Sequence, residues 1–133
     1  MIMYALDTSI IVDYLNGKLS VMAQFHNAAK NKAPMVIPSV VDYETMRGFY
    51  HTPSSRKEAN YSRMRHNCPV IEVNADIWDC AASIWAKLRK SGRSVGDADI
   101  LIAACCILNG YTLVTHNAKD FKHIEELQMV DWA

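Results

Sequence analysis

Several common sequence features are missing from this chain of 133 residues, and each absence excludes a class of protein. No stretch approaches the roughly 18 consecutive apolar residues of a membrane span. No Gly-x-Gly-x-x-Gly or Gly-x-x-x-x-Gly-Lys motif indicates a nucleotide-binding loop. The formal net charge is zero, with 14 basic and 14 acidic residues, so net charge neither requires nor excludes a nucleic-acid partner.

The four cysteines form neither a Cys-x-x-Cys pair nor a Cys/His cluster with zinc-finger spacing. Cys80, Cys105 and Cys106 lie in apolar helical stretches, where cysteine behaves as a small hydrophobe. We therefore expect buried structural thiols rather than a redox site. Asp7 interrupts the only apolar run near the N-terminus, which is unlike a secretory signal, and a reducing cytoplasm is the expected location.

Short apolar segments alternate with helical patterns, which is typical of the α/β class with a mostly parallel sheet. The predicted strands are Ile2–Leu6, Met35–Ile37, Val70–Val73, Thr112–Thr115 and Leu127–Val130. The predicted helices run from an Asp7 or Thr8 cap to Asn16, over Val21–Lys30, from a Ser39 cap to His51, and over Ser55–His66, Ala75–Lys90 and Asp97–Leu108. This pattern predicts one domain over residues 1–133, with four or five short strands and helices on both faces.

Acidic residues recur where predicted strands give way to helices. Asp7 and Asp120 follow predicted strands, Asp97 and Asp99 open a predicted helix, and Glu44 lies within one. The carboxyl ends of parallel strands share one edge of a sheet, so we expect these carboxylates to converge there. Converging carboxylates repel one another unless a cation lies between them, and oxygen ligands favour Mg²⁺ or Mn²⁺.

Each acid also has an ordinary structural explanation. Asp7 can cap a helix, and Asp97 and Asp99 can complement a helix dipole. Glu44 and Asp120 can simply be solvated. Only the combination of positions favours a metal-dependent site over these separate explanations.

The order of these motifs resembles the PIN-domain ribonucleases, and in particular the VapC toxins of VapBC toxin–antitoxin systems. The matching segments are Leu6-Asp7-Thr8-Ser9, Pro38-Ser39-Val40-Val41 leading to Glu44, Val95–Ala104, Leu113–Phe121 and Asp131-Trp132. They span nearly the whole chain, and the Asp-x-x-Ile-Ala-Ala and Thr-x-Asn-x-x-Asp-Phe segments together are the most specific. The resemblance implies a PIN-like three-layer α/β/α fold.

The resemblance also implies roles for individual acids. Asp7 and Asp99 match the two aspartates that the family uses most directly to bind Mg²⁺, for which Mn²⁺ can substitute. Glu44 matches the glutamate of the family site. Asp97 falls at a position that is variably acidic, so its role is open between metal site and helix dipole.

The fourth acidic position of the family departs from its usual pattern here. Thr115 matches a hydroxyl position that helps to orient water or metal. Many members place an aspartate two residues later, where this chain has Asn117. Either Asp120 replaces that aspartate, or Asn117 acts through a water molecule.

Mg²⁺-dependent cleavage of structured RNA is the activity that the resemblance implies. The substrate in the family is most often tRNA, and the candidate that the resemblance suggests here is initiator tRNA, cut in its anticodon loop. The resemblance also implies a homodimer that a VapB antitoxin neutralises. An antitoxin helix would need an apolar groove, for which Ile10, Ile11, Tyr14 and Leu15 are candidates, although core packing explains them equally well. The candidate basic rim for RNA comprises Arg47, Arg56, Lys57, Arg63, Arg65 and His66 in one segment and Lys87, Arg89, Lys90 and Arg93 in another, with Tyr50 and Tyr61 as stacking faces.

One alternative function remains, which is a catalytically silent PIN-fold module that binds RNA or an antitoxin. Asn117 keeps this alternative open because it removes a carboxylate from the expected set. A response-regulator receiver domain is disfavoured, since Asp7 has no acidic neighbour and no proline follows Lys119. Ser9 has no Ser–His–Asp arrangement around it in the sequence, so it is not an obvious nucleophile.

Overall fold

Five short parallel strands form the centre of the computed structural model, which describes residues 1–133. They are β1 (Tyr4–Leu6), β2 (Met35–Pro38), β3 (Val70–Ile71), β4 (Thr112–Val114) and β5 (Met129–Val130). The sheet order is β3-β2-β1-β4-β5, and Tyr4 of β1 lies opposite both Met35 and Thr112. The predicted α/β class is confirmed, and every strand pair is parallel.

Seven helices connect the strands. They are α1 (Thr8–Leu15), α2 (Leu19–Lys30), α3 (Ser39–His51), α4 (Ser55–Asn67), α5 (Ala75–Lys90), α6 (Asp97–Asn109) and α7 (Ala118–Phe121). None of them is both long enough and apolar enough to cross a membrane.

The strand order reverses beside β1, and this reversal determines where a site can form. The chain moves outward from β1 through β2 to β3 and then returns to place β4 on the other side of β1. Right-handed crossovers put α1 to α4 on one face of the sheet and α5 and α6 on the other. Adjacent strands whose connections leave on opposite faces open a crevice at their carboxyl ends. Here that crevice lies above β1 and β4.

The pairing of α5 with α6 shows how the sequence builds the second helical layer. The Asn74 side chain caps α5 by accepting a hydrogen bond from the Ile77 N–H at 2.9 Å. The buried face of α5 repeats with helical spacing through Ile77, Ala81, Ile84 and Leu88. This face packs on α6, which has six buried residues among its thirteen. The predicted bounds of α5 are therefore confirmed, because the capping residue and the periodicity of its buried residues indicate the same helix.

All four cysteines are free thiols, and Cys105 and Cys106 are buried as expected, whereas Cys80 is only partly buried and Cys68 is the third buried one. Cys105 and Cys106 lie on the buried part of α6. Burial raises the pKa of the Cys105 thiol to about 11, so it stays protonated and unreactive near neutral pH.

Some local predictions are wrong. Ser39 does not cap α3, because it is already the first helical residue and Pro38 occupies the cap position. The third strand ends at Ile71 rather than Val73, and the last begins at Met129 rather than Leu127. The sequence analysis also missed α7, a single turn that carries Asp120.

A buried tyrosine ties α3 to α4. Tyr61 is 1 % exposed, and its hydroxyl donates to Asp42 Oδ1 at 2.6 Å. The Arg65 guanidinium lies 5.0 Å from the Tyr61 ring centre and approaches the same carboxylate oxygen at 3.4 Å. Burial, followed by the hydrogen bond to Asp42, raises the pKa of Tyr61. The predicted role of Tyr61 as a stacking face for RNA is therefore wrong, because its ring is inside the protein.

Replacing Tyr61 with Phe should lower the free energy of unfolding by about 1.5 kcal/mol, because a half-buried carboxylate loses a hydrogen-bond donor while the ring packing is kept. Urea denaturation would measure the change. Tyr50→Phe is the matched control, since Tyr50 is 84 % exposed and should change stability by less than ~0.5 kcal/mol. Equal effects of the two substitutions would contradict a structural role for the Tyr61 hydroxyl.

Candidate metal centre and active site

Asp7 is the most buried acid of the chain and lies at the end of β1. Asp7 is 5 % exposed, and three hydrogen-bond donors reach its carboxylate. The Thr8 N–H donates to Oδ1 at 2.9 Å, so Asp7 caps α1 and Thr8 does not. Oδ2 accepts from Thr115 Oγ1 at 2.7 Å and from Ser9 Oγ at 3.2 Å. These bonds fix the carboxylate orientation from both α1 and the residue that follows β4.

The electrostatics of Asp7 are set by competition between burial and these donors. Burial raises its pKa, whereas the hydrogen bonds from Thr115, Thr8 and Ser9 lower it, and the charge of Glu44 raises it again. The net result is a pKa above the usual value for aspartate. The donors therefore do not fully compensate the carboxylate for its loss of water.

Glu44 lies on α3 and faces the start of α1. Its Oε1 accepts a hydrogen bond from Thr8 Oγ1 at 2.8 Å. Its Oε2 lies 3.7 Å from Arg47 Nη2, one turn further along the same helix. Glu44 is thus shared between a hydroxyl near Asp7 and an exposed guanidinium.

Asp99 lies in the first turn of α6 and is half-buried. Burial raises its pKa to about 6, and the charges of Asp7, Asp120 and Glu44 add to this effect in that order. The three other acids are therefore near enough for their charges to act on Asp99, and we call these four residues the acidic cluster. A bound cation would offset this repulsion and lower the pKa of Asp99.

Asp97 is the predicted site residue that the fold places elsewhere. It is exposed and lines a groove of about 390 Å³ with Trp78, Trp85 and Leu101, on the side of α6 that faces α5. Its charge is not among those that raise the pKa of Asp99. The two aspartates are two residues apart on a regular helix, so their side chains point in nearly opposite directions.

The Thr115 to Asp120 segment supplies the β4 side of the site. Thr115 is fully buried and bonds to Asp7 as described. Asn117 is exposed, makes no capping bond with its side chain, and donates its backbone N–H to Thr115 Oγ1 at 3.0 Å. Asp120 is exposed on α7. Of the two candidates for the fourth position, only Asp120 brings a negative charge to Asp99.

The donor set of the acidic cluster fits a hard divalent cation by type, since every donor is oxygen. No group of three or more carboxylate, histidine or cysteine side chains converges closely enough to form a ready-made metal cage. Burial raises the pKa values of Asp7 and Asp99, and the charges of neighbouring acids add to this effect. The chemistry of the donors, rather than their present spacing, supports a cation site.

Residues 4–127 match the family model described as PIN domain. The chain belongs to the PIN-domain family, in its VapC branch. It is 32 % identical over 133 residues to Ribonuclease VapC2 of Rickettsia felis, covering 97 % of each chain. It is 29 % identical to the tRNA(fMet)-specific endonuclease VapC of Shigella flexneri over the full length of both. Its fold is similar to VapBC2 from Rickettsia felis bound to a promoter DNA fragment, with a TM-score of 0.90, 27 % identity, and 99 % and 100 % of the two chains covered.

Three side chains of this VapC-family site were not predicted as part of it. Ser9 links Asp7 to the backbone just after β4, because its Oγ donates to Asp7 and also accepts from the His116 N–H at 3.1 Å. Thr8 and Arg47 both contact Glu44. The only sequence signal was the position of Thr8 and Ser9 directly after Asp7, since their partners are distant in sequence.

One set of predicted binding residues needs correction. Ile10, Ile11 and Leu15 are buried in the core, and Tyr14 packs on Phe25 with ring centres 4.9 Å apart, so these residues do not present a free apolar face. Core packing was the correct explanation. The candidate basic rim stays a prediction. Several of its members also make contacts within the chain, namely Lys57 with Asn16, Arg65 with Asp42, Lys87 with Glu126, Arg89 with Trp85 and Arg93 with His123.

Because the pKa of Asp99 is raised in the folded state, the free energy of unfolding should depend on pH. The folded state binds its proton more tightly than the unfolded chain, so wild-type stability should fall as pH rises from about 4 to about 6. Asp99→Asn removes this loss. Near pH 7.5 without divalent ions, we expect it to raise the free energy of unfolding by about 1 kcal/mol after allowance for solvent screening. Thermal denaturation should show a rise of roughly 3 °C.

Asp97→Asn is the matched control, because Asp97 shares the first turn of α6 and loses the same favourable interaction with the helix dipole. The difference between the two variants should shrink towards zero as pH falls to about 4. A difference that does not depend on pH would contradict repulsion within the acidic cluster.

Proposed function

We propose that this chain is a metal-dependent endoribonuclease that cleaves structured RNA at the acidic cluster. The observation that carries the proposal is the buried Asp7 carboxylate, fixed by three donors at the carboxyl ends of β1 and β4 beside Glu44, Asp99 and Asp120. The names Ribonuclease VapC2 and tRNA(fMet)-specific endonuclease VapC, borne by its relatives, support the same reaction class. We infer that tRNA is the substrate, with the anticodon loop of initiator tRNA as the first candidate.

The proposed roles follow from the burial and contacts of each residue. Asp7 and Asp99 would hold the divalent ion, Mg²⁺ or Mn²⁺. Glu44 and Asp120 would complete the ligand set or orient water, and Thr115 would hold Asp7 in place through its 2.7 Å hydrogen bond. When bound, such an ion polarises the phosphate and lowers the pKa of a water molecule.

Negative charge at the cluster repels RNA, so cations must hold the backbone at its edge. Arg47 is well placed because it lies beside Glu44, is exposed, and stacks on Tyr43 with its guanidinium 5.1 Å from the ring centre. Lys57 lines the groove on the other side of Glu44. We propose these two residues, rather than the whole basic rim, as the first phosphate contacts.

We also propose that a VapB-type antitoxin binds the groove next to the cluster. The similar solved structures include VapBC2 from Rickettsia felis and VapBC-1 from Haemophilus influenzae, and two others are titled as a toxin–antitoxin complex or a toxin–antitoxin system. A groove of about 250 Å³ runs between α1, α3 and α4 and includes both Thr8 and Glu44. Its apolar lining consists mainly of Val12, which is 45 % exposed, while Leu15 and Phe49 reach it only with the edges of buried side chains. An amphipathic antitoxin segment seated there would cover the acids.

Purified protein incubated with total tRNA and Mg²⁺ should produce discrete new 5′ ends, and EDTA should abolish them. Asp7→Asn, Glu44→Gln and Asp99→Asn should each reduce the cleavage rate roughly a hundredfold or more, because each removes a charged oxygen from the metal site. Mapping the 5′ ends identifies the RNA and the cut. Asp97→Asn, whose side chain points away from the cluster, should retain the rate within a few-fold.

Binding of Mn²⁺ without cleavage of any tRNA or mRNA would instead support the catalytically silent module. Loss of activity in Asp97→Asn equal to that in Asp99→Asn would show that both aspartates serve the reaction.

We propose that two copies of the chain associate through the aromatic face of α3 and α5. Trp78, Trp85 and Tyr43 are 57 %, 45 % and 62 % exposed, and they line two adjoining grooves of about 540 and 390 Å³. A contiguous exposed apolar face of this kind marks an interaction surface. Arg47 and Arg89 flank it together with acids such as Glu72 and Asp97, so a twofold axis can pair opposite charges.

Light scattering should give about twice the chain mass of 15.0 kDa for the wild type and the monomer mass for Trp85→Glu, because a buried charge without a partner disfavours the interface. Tyr50→Glu is the control, since Tyr50 is equally aromatic and exposed but lies outside both grooves. A wild-type monomer at tens of micromolar protein would contradict the dimer.

A further inference from the structure

Thr8 contacts two acids of the cluster with two different donors. Its backbone N–H donates to Asp7 Oδ1 at 2.9 Å, which is the capping bond of α1. Its hydroxyl donates to Glu44 Oε1 at 2.8 Å, across the contact between α1 and α3. Since Asp7 caps the helix through the Thr8 backbone, the Thr8 hydroxyl is not needed to begin α1. Its bond to Glu44 is therefore separate from helix formation.

Glu44 has a competing partner on its other side. Arg47 Nη2 lies 3.7 Å from Glu44 Oε2, and the Arg47 side chain is 59 % exposed. The Arg47 guanidinium also lies over the Tyr43 ring, 5.1 Å from the ring centre. A glutamate side chain has several rotatable bonds, so without a partner on the inner side the carboxylate is free to turn towards Arg47 and solvent. Exposed ion pairs are weak, which leaves the hydroxyl to decide the orientation.

We propose that Thr8 is a positioning residue that keeps Glu44 turned towards Asp7 and Asp99 and away from Arg47. This inference rests on the proposed function, because it assigns Glu44 to the cation site. A hydrogen bond from outside the ligand set orients a carboxylate and reduces the freedom that it loses when an ion binds. The Thr8–Glu44 bond spans 36 residues of sequence, so it also links the β1 side of the site to α3.

Titration of the purified protein with Mn²⁺, followed by the electron paramagnetic resonance signal of the free ion, tests this role without RNA. Thr8→Val keeps the size and branching of the side chain and removes only the hydroxyl. It should weaken Mn²⁺ binding about tenfold. Thr8→Ser keeps the hydroxyl and should bind Mn²⁺ within about twofold of the wild type. Both variants should melt within a few degrees of the wild type, because Asp7 still caps α1.

A double-mutant cycle shows whether Thr8 acts through Glu44. Adding Thr8→Val to Glu44→Gln should change Mn²⁺ affinity by less than about twofold, since the carboxylate that Thr8 positions is already gone. If Thr8→Val destabilises the fold, Thr8→Ala compared with Thr8→Ser tests the same hydroxyl, and serine should bind Mn²⁺ severalfold more tightly than alanine.

Wild-type Mn²⁺ affinity in Thr8→Val, or an equal tenfold loss in the Glu44→Gln background, would overturn the proposal. The test is separate from that of the proposed function. A wild-type chain that binds Mn²⁺ but cuts no RNA would refute the nuclease and leave the role of Thr8 to be decided by the affinities alone.

Discussion

The geometry of the site depends on satisfying one buried carboxylate. Asp7 lies where β1 ends and α1 begins, and its exposure of 5 % removes most of the water that would stabilise its charge. The fold replaces that water with donors from α1 and from the residue that follows β4. A carboxylate in this position therefore binds β1, β4 and α1 to one another, and the same bonds fix the direction in which its remaining lone pairs point.

The hydrogen bonds do not cancel the electrostatic cost of this arrangement. Both Asp7 and Asp99 keep raised pKa values, and in each case burial is the leading cause and neighbouring acids add to it. Like charges held together against their own repulsion destabilise the folded state, and such sites persist where function requires them. Arg47 is the one cation that pairs with the cluster, and it touches only the outer oxygen of Glu44. The cluster is consequently short of positive charge in a way that a divalent ion would correct.

The strands, most helices and the acids were predictable from the sequence. Hydrophobic periodicity, and the position of an acid directly after a strand, can both be read from short stretches of sequence. The different directions of the Asp97 and Asp99 side chains were not predictable, since they depend on the helix already being regular at Asp97. Pairs such as Thr8 with Glu44 were out of reach for a different reason. Their partners are brought together only by the packing of α1 on α3. Ser39 failed as a cap because Pro38, at the end of β2, fixes the entry into α3 one residue earlier.

Asn117 illustrates why a missing acid need not disable such a site. Its backbone N–H donates to Thr115 Oγ1, whose own proton is donated to Asp7, so the two bonds form a chain that strengthens the bond to the carboxylate. That contribution uses the backbone and does not depend on the side chain at position 117. Asp120 supplies negative charge to Asp99 from an exposed turn, where solvent screens it. Asp120 thus brings a fourth carboxylate near Asp99, while position 117 contributes to the site through its backbone.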